Sequence, residues 1–141
     1  MATEARIQNT KKDWIAATSA AISAKANARK SYEEAKANHL TNDSFSDWVQ
    51  QNDYEFFEAY QSYEAANAAF LQALAQRGPR EAQEFQGKQH DLRRYYEQGQ
   101  LGDGKERGSR HIIVSYDEVE RYDAIVQAMQ EAYSKAHGPQ S

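Results

Sequence analysis

The chain has 141 residues, enough for a single domain over 1–141, with no cysteine and a net charge of −4. The lack of thiols excludes a disulfide framework, a thiolate nucleophile and a cysteine-based metal site, and the acidic balance disfavours nucleic acid as a partner. Twenty-three residues are alanine, so bulky apolar volume comes disproportionately from nine Tyr, five Phe and two Trp, and the expected core is thin.

Residues 3–39 read as one long helix. Ile7, Trp14, Thr18, Ala21, Ala28, Tyr32 and Ala35 follow a seven-residue repeat, Ile15 and Ile22 are expected to widen that stripe, and Lys11 and Lys25 interrupt it. Asn38 to Ser44 supplies turn residues, with Asp43 or Ser44 as the next N-cap. A second helix is expected over 45–77, with Phe45, Trp48, Val49, Phe56, Ala59, Tyr60, Tyr63, Ala66, Phe70 and Leu74 at spacings of three and four. At 1.5 Å per residue each arm reaches roughly 50 Å. Residues 1–30 carry +4 and residues 31–76 carry −7, so folding the arms together pairs opposite charge.

Gly78-Pro79 separates this hairpin from a third helix, about 80–98, with Phe85, Leu92, Tyr95 and Tyr96 on one side. A flexible Gly-rich loop is expected over 99–110. His111-Ile112-Ile113-Val114 is the only β-branched run and reads as a short extended segment laid on the bundle. Ser115-Tyr116-Asp117-Glu118 matches a capping box and starts a fourth helix, about 116–137, with Val119, Tyr122, Ile125, Val126, Met129 and Tyr133 facing inward. The fold class is therefore all-α: an antiparallel helical bundle of about four helices on a long N-terminal hairpin.

Motifs for chemistry are few. Gly99 to Lys105 satisfies G-x-x-x-x-G-K, but Glu106 stands where a phosphate loop needs a hydroxyl for magnesium, and a helix rather than a strand precedes it. His39, His90, His111 and His137 lack metal-ligand spacing. No G-x-S-x-G elbow presents a serine, so no catalytic residue, cofactor or metal ligand is nominated. Arginine beside tyrosine is typical of interface hot spots. On that basis Arg93, Arg94, Tyr95, Tyr96, Arg107 and Arg110 are the candidate partner-binding residues.

The composition points to a non-enzymatic interaction or assembly module. Its expected partners are a second copy, as a homodimer or other homo-oligomer, and an unidentified protein, because alanine-rich faces bury little volume within one chain. An alternative is a ligand-binding or enzymatic bundle using tyrosines and arginines around the second and third helices. No stretch approaches the ~18 apolar residues of a membrane span, and residues 1–6 hold no signal core, so a cytoplasmic location is expected. An exported effector without a cleavable signal is the further alternative.

Overall fold

The computed structural model describes residues 2–102 and 111–137. All regular structure among them is helical: α1 (Ala2–Ala37), α2 (Phe45–Asn52), α3 (Tyr54–Arg77), α4 (Pro79–Glu97), α5 (Tyr116–Glu120) and α6 (Tyr122–His137). No helix among the described residues is long and apolar enough to cross a membrane. The loop expected over 99–110 is described only to Gly102; its remainder lies outside the described residues.

Helices α1 and α3 run antiparallel. Glu4, near the start of α1, accepts from Nη1 of Arg77 at the end of α3 (2.6 and 2.8 Å), and the same guanidinium pairs with Glu81 on α4. One arginine thus ties three helix ends together. At the opposite end, the Tyr32 hydroxyl donates to the Asp43 carbonyl at 2.7 Å, fixing the turn before α2. The α1 heptad is the buried seam: Ile7, Trp14, Thr18, Ala21, Ala28 and Tyr32 are all buried. Across it lie Phe56, Tyr60, Tyr63, Phe70, Ala73 and Leu74 of α3.

The hairpin's second arm differs from the single helix expected. Asp53 leaves the helical region (φ −135°, ψ 83°) and serves as C-cap of α2 and N-cap of α3, its carboxylate accepting from the Phe56 amide at 3.0 Å. A side chain able to satisfy the next helix's free amides makes the break inexpensive, since such a cap is worth about 1 kcal/mol. The last helix is likewise interrupted, at Arg121 (φ −94°, ψ 17°), although hydrogen bonds Arg121 N to Asp117 O and Ile125 N to Arg121 O carry the ladder across. The result is a kink.

Helix ends follow local chemistry. Gly78 is extended (φ −159°), as a residue preceding proline prefers, and caps both α3 and α4. α1 ends with His39 at φ 59°, where Leu40 N reaches Ala35 O and His39 N reaches Lys36 O. A histidine here occupies the left-handed position usually given to glycine. Within α4, Gly87 has open space where a Cβ would lie. Gly87→Ala is therefore expected to raise stability by about 0.5–1 kcal/mol, read as a higher urea midpoint with an unchanged m-value.

Two apolar clusters result. The larger contains an aromatic knot in which Trp14 stacks on Phe70 (5.5 Å) and meets the edges of Phe85 and Tyr116. The smaller joins Leu92, Ile112, Val114 and Val119, with Tyr95, Tyr96, Leu101, Tyr122 and Ile125 packed around them.

Candidate interaction surfaces

Residues 111–114 are not a helix, yet all four are buried. The Tyr63 hydroxyl accepts from Val114 N (3.0 Å) and donates to Val114 O (3.1 Å), so one buried side chain satisfies both backbone groups. Lys25 Nζ donates to the His111 carbonyl at 2.8 Å, and the Tyr60 ring meets the His111 ring edge-on at 5.0 Å. Lys11 lies 4.2 Å above the Tyr116 ring. The two lysines that interrupt the α1 stripe are thus the residues that receive segment 111–116. Their positions were the sequence signal for a third element docking there.

Burial, and secondarily the nearby Glu64 carboxylate, pushes the Tyr60 phenol up to about 12. Burial also raises Tyr63, partly offset by its Val114 hydrogen bond and by Arg93. Tyr122 is raised chiefly by donating its proton to Asp91 Oδ2 at 2.7 Å. The sign follows from linkage. A folded-state phenol pKa above the unfolded value of 10 leaves stability intact below pH 10. Between pH 10 and about 12 the unfolded chain sheds protons that the folded chain keeps, and stability falls. Urea midpoints measured from pH 8 to 12 are expected to be flat to about 10 and then to decline.

The arginine-tyrosine cluster does not form one surface. Arg93 is half-buried and lies close enough to Tyr60 and Tyr63 to lower both phenols. Tyr96 donates to Glu118, the residue that closes the α5 capping box through Ser115. Arg94 is exposed, and Tyr95 packs beside the Leu92 cluster. Arg107 and Arg110, like Lys105 and Glu106 of the glycine-rich motif, lie outside the described residues. Among the described residues no group of three or more His, Asp or Glu is placed to hold a metal.

What the fold leaves uncovered is two apolar helix faces. Ile15 and Ile22, expected to widen the buried stripe, are 45% and 47% exposed. They stand about 100° around the helix from Trp14 and Ala21, beyond the side that α3 covers. With Thr18, Ser19, Ser23 and Tyr116 they line a groove of about 500 Å³ between α1 and α5, rimmed by Lys11, Asp117 and Glu120. The second face belongs to α6, none of whose side chains is buried. Val126, Met129 and Tyr133, the last 66% exposed, form one wall of a groove of about 530 Å³ whose other wall is Tyr95 and Gln100. This differs from the inward-facing helix expected: Tyr122 and Ile125 reach the Leu92 cluster, but the later turns extend past it.

No family model matches the chain, and neither the curated proteins nor the solved structures provide a match.

Proposed function

We propose that the chain is a non-enzymatic helical interaction module that works by self-association, as a homodimer. The observation supporting this reading is the pair of uncovered apolar faces on α1 and α6. A long helix displaying isoleucines to water, and a sixteen-residue helix with no buried side chain, both gain from a partner. Of the arginine-tyrosine cluster, Tyr95 and Arg94 fit the reading best, as the α4 wall and rim beside α6. The alternative of a ligand site among Tyr60, Tyr63 and Arg93 is the weaker one, because residues 111–114 already pack against those rings.

Light scattering at high micromolar concentration tests the proposal, with a dimer mass expected. Ile22→Glu places a carboxylate on the exposed α1 face, where it costs the monomer little. It is expected to weaken association at least about tenfold, equivalent to 1.4 kcal/mol, without lowering the thermal midpoint of the dilute monomer. A strict monomer for the parent chain overturns the reading.

A further inference from the structure

We propose that the α1 groove receives α6 of a second copy, and that two copies exchange α6 reciprocally about a two-fold axis. The inference rests on the self-association reading and adds which surface meets which. Its first support is length. Ile15 to Ile22 and Val126 to Tyr133 each span seven residues, or about 10.5 Å of helix, so the two stripes are equal in reach. Their shapes are complementary as well. The α1 stripe carries small residues between its isoleucines, Ser19 among them, whereas α6 presents the longer Met129 and Tyr133.

Charge supplies the second support. Residues 11–30 hold five bases and one acid, and residues 117–131 hold five acids and one base. On the α1 helix wheel Lys12 and Lys30 flank the exposed stripe, and on α6 Asp123 flanks the apolar face. A basic α1 therefore favours an acidic α5–α6 arm over another α1, and the same rule disfavours α6 against α6.

The occupant is not supplied by the chain itself. Its own α6 is anchored to α4 through the Tyr122–Asp91 hydrogen bond and the packing of Ile125 in the Leu92 cluster. Residues 103–110, Asp-Gly-Lys-Glu-Arg-Gly-Ser-Arg, contain no apolar side chain with which to cover either groove. One helix-on-helix contact of this length is small beside the roughly 1,200–2,000 Å² of a stable interface. Reciprocal exchange makes the contact twice, and a two-fold arrangement requires that doubling.

The absence of cysteine makes the pairing directly measurable. Ile22→Cys and Met129→Cys are made separately, one of them carrying an affinity tag, and each is verified by thermal melting to be folded. They are then oxidised alone and mixed, with a short bismaleimide as a second cross-linker tolerant of small register differences. The mixed sample is expected to give a cross-linked dimer at least tenfold above either variant alone, and the double variant a doubly linked dimer. Self-cross-linking of either single variant without a mixed product overturns the α1–α6 pairing while leaving self-association standing. A monomer mass for the parent chain removes both.

Discussion

Trp14→Ala is expected to be the most damaging single substitution in the chain, lowering stability by about 3–5 kcal/mol in urea or thermal unfolding. Trp14 is fully buried and touches four structural units at once: it sits on α1, stacks on Phe70 of α3, and meets Phe85 of α4 and Tyr116 of α5 edge-on. The alanine-rich surroundings cannot close over the missing ring, because Ala21 and Ala73 are already at close approach and have no side chain to extend. The cavity therefore persists, and its volume adds to the lost transfer energy. Trp14→Phe separates volume from chemistry. The indole Nε1 is buried with no hydrogen-bond partner among the described residues, so phenylalanine loses ring area but also relieves a buried donor. It is expected to cost less than half as much as alanine. Equal losses for the two variants would show that the ring's size is not what holds the knot together.

Tyr63→Phe is the second large effect, at about 2–4 kcal/mol. The substitution removes one oxygen, but that oxygen satisfies both Val114 N and Val114 O in a buried setting. Leaving two backbone groups unpaired costs about 1–3 kcal/mol each, more than the net worth of the bonds themselves. The loss should be local in its first expression. Val114 carries the extended segment into the Ser115 capping box, so α5 and α6 depend on its position. Amide exchange at 112–119 is expected to accelerate in Tyr63→Phe at denaturant concentrations where α1 and α3 remain protected. Tyr54→Phe, at an exposed site on the same helix, is the control and should leave both stability and exchange unchanged.

The α1 seam was legible because its signal is local: positions 7, 14, 21 and 28 recur at the helical period, and all four are buried. The capping box at Ser115 was legible for the same reason, since its partners lie three residues apart. Less visible was the break at Asp53. Asn52-Asp53 sits inside an otherwise continuous stripe, and only the carboxylate's turn toward the Phe56 amide makes it a cap. The arginine-tyrosine cluster misled because adjacency in sequence is not adjacency on a helix surface. Arg93, Tyr95 and Tyr96 point to three different neighbours.

The sequence by itself determined that this chain is helical, where its principal helices start and stop, and which stripe of α1 is buried, because propensity, capping and periodicity act between residues a few positions apart. Only the tertiary structure decided that Ile15 and Ile22 remain outside, that Lys11 and Lys25 receive the 111–116 segment, and that α6 carries its apolar face past the core. Those outcomes depend on where partners 86 residues away, such as His111 for Lys25, come to rest. A helix's period marks its apolar faces, but the placement of the other helices selects which of them is covered.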